Sequence, residues 1–138
     1  MNEKVKSAAA LFDEGFYCSQ SVLGAFCEQY GLDNETTYKI SCGLNSGARC
    51  SEICGAVTGA ILVIGLKYGS TRQICNQKTE EFVKIFKAKN GEVVCRNILG
   101  CDISTPDGKE KAIGENLFNT TCRDMVISAV EILTDLCY

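Results

Sequence analysis

Apolar residues recur at helical spacing along nearly the whole chain, and no stretch beyond a few residues alternates with period two. The pattern predicts a first helix from about Glu3 to Glu14, stopped by Gly15. A second runs from about Tyr17 to Tyr30, with Cys18, Val22, Ala25 and Phe26 on one face and Gly31 as its stop. Asp33 or Asn34 caps a third, reaching about Leu44 before Asn45-Ser46-Gly47 breaks it. Ser51 is the expected N-cap of a fourth that ends at Tyr68-Gly69, with Cys54 in its first turn. On it Cys54, Thr58, Ile61, Gly65 and Tyr68 share a face. Ser70-Thr71-Arg72-Gln73 has capping-box form and opens a helix to Asn90-Gly91, with Ile74, Phe82, Ile85 and Phe86 inward. Cys95 to Leu99 makes a short helix. Thr105-Pro106 reads as a cap followed by a first-turn proline, although Gly108 and Gly114 weaken the segment after it. Thr120 or Thr121 caps a last helix whose inward stripe is Cys122, Val126, Ala129, Val130, Leu133 and Cys137.

These elements predict an all-α fold, a compact bundle of about five to seven helices. With 138 residues, no repeat and no linker, the expectation is one cysteine-rich domain over residues 1–138. A net charge of −3 offers no basic field for nucleic acid. The most apolar run, Ile53 to Leu66, is too short to span a bilayer and reads as a buried helix. The N-terminal apolar stretch soon meets Asp13 and Glu14, which fits an amphipathic helix and a cytoplasmic protein.

The chemistry lies in ten cysteines, and the chain has no histidine. Reducing compartments keep thiols free, so so many cysteines point to metal ligation or redox work more than to disulfide staples. No Cys-x-x-Cys occurs; the closest pair is Cys50 and Cys54. That spacing excludes a thioredoxin dithiol, a zinc knuckle and a bacterial ferredoxin run. Without histidine there is no mixed zinc site and no Cys–His pair. Four cysteines instead fall where helices begin: Cys18, Cys54, Cys95 and Cys122. Free N–H groups and the dipole at a helix start favour a thiolate and are expected to lower its pKa. Converged, the four sulfurs are ligands for an iron–sulfur cluster or, less favoured, a four-sulfur zinc. Arg49, Arg96 and Arg123 adjoin Cys50, Cys95 and Cys122, and add positive potential if turned inward. Gly55, Ala56, Gly59 and Ala60 form a small-residue ridge, read either as a wall beside a cofactor at Cys54 or as tight helix packing.

The stretches Tyr17-Cys18-Ser19-Gln20, Cys54-Gly55-Ala56-Val57-Thr58-Gly59, Cys95-Arg96-Asn97-Ile98-Leu99-Gly100 and Cys122-Arg123-Asp124 resemble, in order, the redox-active family named for a C…GCAxxG…C…C signature. The resemblance implies a small helical protein with cysteine-based redox function at those same four residues. The literal Gly-Cys-Ala order stands here as Cys54-Gly55-Ala56. Cys27, Cys42, Cys50, Cys75, Cys101 and Cys137 have no place in the signature, and Cys42 or Cys50 is open as a stand-in or partner for Cys54.

Three functions remain open. The four-ligand count favours electron transfer or redox sensing on an iron–sulfur cluster. The excess of cysteines favours a thiol–disulfide protein with a reversible pair and no cofactor. The lack of paired carboxylates or a phosphate loop leaves a helical interaction module with a structural metal or merely buried thiols. Any enzyme activity would be that of an oxidoreductase. A redox partner protein is expected, and self-association is open.

Overall fold

The computed structural model describes residues 2–138. Among them the chain is all-α, with eight helices: α1 (Glu3–Asp13), α2 (Cys18–Phe26), α3 (Asn34–Ser41), α4 (Gly55–Tyr68), α5 (Arg72–Asn90), α6 (Cys95–Leu99), α7 (Pro106–Gly114) and α8 (Thr121–Asp135). The count exceeds five to seven because both short elements form. α7 holds despite its glycines: Thr105 Oγ1 accepts the Gly108 N–H at 3.1 Å, and Pro106 sits in the first turn.

α2 is the central element, packed on α1, α3, α4 and α8. Val22, Leu23 and Phe26 meet Val57, Ala60, Val63 and Ile64 of α4 and Val126, Val130 and Leu133 of α8 in one buried core, closed by Phe82 and Phe86 of α5. The α4 face that dominates this core is thus not the predicted Thr58–Ile61–Gly65–Tyr68 row, which is only half-buried. Ile74 of α5 is exposed rather than inward, and Cys137 lies beyond the end of α8, exposed and left-handed. A second, smaller cluster joins Cys95, Leu99, Ile103 and Ala112, with Cys101, Leu117, Phe118 and Cys122 against it.

Two departures from the expected element boundaries shape the site. α4 does not begin at Ser51. Residues 52–54 run extended beside 93–95: Cys54 N–H donates to Val93 O at 2.8 Å, Cys95 N–H to Glu52 O at 2.5 Å, and Ile53 and Val94 form an antiparallel bridge. Those partners are 39 to 43 residues away in sequence, so no local signal announces them. Ahead of this pairing, the chain from Ser46 to Ser51 makes a tight loop. Ser46, Gly47, Ala48, Arg49 and Ser51 all have positive φ, between 54° and 65°. Four of the five are not glycine, and each such residue costs about 1–2 kcal/mol. Strain of this kind persists where surrounding structure holds it, often at functional sites.

Candidate functional site: a cysteine-lined cavity

Each of the four cysteines sits at a helix start. Cys18 is the first residue of α2 and Cys95 the first of α6, Cys54 is the N-cap of α4, and Cys122 is the second residue of α8. Bonds to neighbouring segments fix them. Ser19 Oγ donates to Ser41 O at 2.7 Å and Gln20 Nε2 to Tyr38 O at 3.0 Å, pinning the head of α2 to α3. The 52–54/93–95 pairing ties Cys54 to Cys95. Cys122 N–H donates to Leu117 O at 3.0 Å. Although separations of 36, 41 and 27 positions part them in the chain, all four line one cavity of ≈ 660 Å³.

Backbone N–H groups address the sulfurs as helix starts should. The N–H groups of Ser19, Ser46 and Gly55 favour the Cys18 thiolate, and those of Ala56 and Val57 the Cys54 thiolate. Part of the strained loop's purpose is visible here, since it delivers the Ser46 N–H. Yet the expected lowering of the thiol pKa does not follow. Burial pushes the Cys18 thiol up, and it pushes Cys54 far above the ordinary range, with the Cys18 charge adding to it. Burial, then the charges of Cys18 and Cys101 and of Asp102, push Cys95 up to about 12. Burial and the charges of Cys18, Cys95 and Cys101 push Cys122 up to about 12. N–H donation favours the Cys18 and Cys54 thiolates, but desolvation outweighs it, and at Cys54, Cys95 and Cys122 neighbouring charge adds to the rise. Without a cation among them, these sulfurs are thiols at neutral pH.

Gly55 is dictated by this arrangement. A Cβ there would overlap Cys18 Sγ and approach Leu44 O to 3.2 Å. The residue after Cys54 must therefore be glycine for Cys18 to reach its cradle, which gives a physical reason for the Cys54-Gly55-Ala56 order. Gly59 serves differently. A Cβ would stand 2.7 Å from Ser19 O, so Gly59 permits the close crossing of α4 over α2. Neither Gly59 nor the fully buried Ala56 lines the cavity. Of the small-residue ridge, only Gly55 is a wall of the site.

The arginines divide likewise. Arg96 pairs with Glu52 and donates to Ser51 O at 3.2 Å. Arg123 makes a two-pronged pair with Asp13 at 2.9 and 3.1 Å. Both turn from the sulfurs, and only Arg49 lines the cavity. Among the cysteines outside the signature, Cys42 is exposed and also lines it, and Cys101 stands near enough to bear on Cys95 and Cys122. Sequence reasoning passed over Cys101. Its sole signal was proximity to Cys95 across the Gly100 turn. Cys50 is exposed, with its Sγ–H donating to Gly47 O at 3.2 Å, and does not line the cavity. Cys27 is buried elsewhere, bonded to Gly24 O and Asn34 Oδ1.

As donors the residues present suit a metal–sulfur centre: four sulfurs from four helices, with N–H groups aimed at two of them and a cradle at Cys18 that a Cβ would fill. Among the described residues, however, no group of three or more Cys, Asp or Glu side chains is gathered tightly enough to hold one metal ion. A single tetrahedral zinc needs its sulfurs about 2.3 Å from one point. A cluster spreads its ligands over several metal atoms and tolerates wider separation. Cys18, Cys54, Cys95 and Cys122 would be the residues to hold such a centre.

An all-α chain that gathers cysteines from separate helix starts around one cavity has the make-up of a cysteine-based redox protein. The chain belongs to the family described as "Putative redox-active protein (C_GCAxxG_C_C)", whose sequence pattern it matches over residues 16–136. No curated protein and no solved structure matches it. Among the described residues no helix is long and apolar enough to cross a membrane.

Proposed function

We propose that this protein is an electron carrier or redox sensor in which Cys18, Cys54, Cys95 and Cys122 hold an iron–sulfur cluster. The carrying observation is the meeting of four buried or half-buried thiols in one cavity, where the charge of Cys18 raises the pKa of the other three. Such a set repels itself when ionised and is neutralised best by cationic metal between the sulfurs. The cluster, when bound, would supply one-electron transfer. The chain's own residues do the tuning. The N–H groups of Ser46, Gly55, Ala56 and Val57 stabilise negative charge on sulfur, which raises the potential. Phe12, Phe16 and Phe118 line the cavity and limit water. Electrons would be exchanged with a partner protein.

A second reading has its own support. Cys18 Sγ lies against Gly55, the neighbour of Cys54, and no three thiols form a tight ligand set. Cys18 and Cys54 would then form a reversible disulfide, each turnover releasing two electrons and two protons to an oxidising partner. The test is purification without oxygen, followed by iron and sulfide assays and a visible spectrum. Iron and sulfide in near-equal amounts, lost in each single Cys→Ser variant of the four, are expected for the cluster. Metal-free protein with a reducible Cys18–Cys54 bond would overturn the cluster and favour the second reading. Metal-free protein with ten inert thiols would overturn both.

A further inference from the structure

The cavity holds more than sulfur. Its size, ≈ 660 Å³, falls in the range of small-molecule sites, about 300–1,000 Å³. Phe12, Phe16 and Phe118 give it flat apolar walls, and Phe16 is itself held rigid by stacking on Tyr38 at 4.4 Å between ring centroids. Among the described residues two cations line it, Arg49 and Lys109, and no carboxylate does. In a chain of net charge −3 that imbalance is local and specific. Among the described residues neither cation has a carboxylate partner. Arg49 is positioned by neutral acceptors, Asn45 Oδ1 at 3.1 Å and Ser46 Oγ at 3.3 Å, on the strained left-handed loop. Arg96 and Arg123, by contrast, are neutralised by acids of their own. The loop's strain therefore sets two things in place together: an N–H donor for Cys18 and an uncompensated guanidinium at the same cavity.

We propose that the mouth of this cavity binds a small planar organic anion, its ring between Phe12, Phe16 and Phe118 and its carboxylate met by Arg49 and Lys109. This rests on the reading of the cavity as the working centre and names the class of molecule that reaches it. Aromatic walls accept a flat ring, and a guanidinium is matched to a carboxylate. Cys42, exposed on the same cavity, reports on occupancy.

The test is a fluorescence titration of the reduced protein with 2-naphthoate and, in parallel, with neutral 2-naphthamide. The chain has no tryptophan to interfere. Saturable binding of the acid about tenfold tighter than the amide is expected from a charged hydrogen-bonded contact. Arg49→Gln and Lys109→Gln should each narrow that ratio by weakening acid binding more than amide binding. Bound naphthoate should slow maleimide modification of Cys42 but not of the exposed, distant Cys137. Equal binding of acid and amide would overturn the proposal, as would no binding of the acid, a ratio untouched in both variants, or unslowed Cys42 modification. The titration involves no electron transfer. A protein that binds naphthoate yet lacks iron, sulfide and a redox-active pair would sink the redox reading alone.

Discussion

At the scale of single residues the site is governed by competition between local donors and burial. The helix starts do aim N–H groups at Cys18 and Cys54, but desolvation sets the direction of every shift at the four thiols. A folded pKa above the unfolded one means that the folded chain keeps protons the unfolded chain gives up. Stability associated with these thiols is thus intact below the ordinary value of 9.0 and is lost as pH rises from there through about 12. Metal-free reduced protein should therefore melt at steadily lower temperature between about pH 9 and pH 12. Serine at both Cys95 and Cys122 should flatten that slope; an unchanged slope would assign the loss to other groups. Gly59 gives a second residue-scale test. Leucine there drives side-chain atoms into the Ser19 backbone and should destabilise by about 1–3 kcal/mol, read from chemical denaturation. A parent-like midpoint would mean that α4 stands off α2. The four cysteines were legible in the sequence because helix starts are local. Their protonation was not, because burial is a property of the folded surroundings.

At the scale of elements, the apolar periodicity located the helices well. Asp33 caps α3 by accepting the Thr36 N–H at 2.9 Å, and Thr105 caps α7. It failed where chain segments distant in sequence compete for the same backbone. Ser51 looked like a cap, yet the pairing of 52–54 with 93–95 holds that stretch extended and leaves Ser51 left-handed, at φ 56°. The capping box expected at Ser70–Gln73 does not form either: Thr71, like Thr120 ahead of α8, is an N-cap whose side chain makes no capping bond. The 46–51 loop makes its own prediction. Ala48 is exposed with φ 57°, so Ala48→Gly should remove strain and stabilise the fold by about 1 kcal/mol or less, after the entropy cost of glycine. A drop in melting temperature would show that the loop relaxes in solution.

At the scale of the whole molecule, the cavity lies between two unequal bodies of packing. α1, α2, α4, α5 and α8 share the large core, whereas α6 and α7 rest on four buried residues. Low burial makes the α6–α7 segment the part expected to open first. In metal-free protein its amides should exchange with solvent well before those of α2 and α4. A centre joining Cys95 to Cys18 and Cys54 would clamp the segment, so reconstitution with iron and sulfide should slow exchange in α6 most. Uniform slowing, or none, would mean that Cys95 is not a ligand. The sequence by itself determined the helices, the four cysteines at their starts and the absence of histidine chemistry, since each is a matter of spacing or composition within a few residues. Only the tertiary structure decided that those starts meet at one cavity, and that Gly55 belongs to the site while Gly59 belongs to the packing. It also decided that Arg49 alone of three arginines lines that cavity, that Cys42 lines it too, and that Cys101 bears on Cys95 and Cys122. Each of those depends on which distant backbone lies alongside, and contacts between segments far apart in sequence leave no periodic trace in the chain.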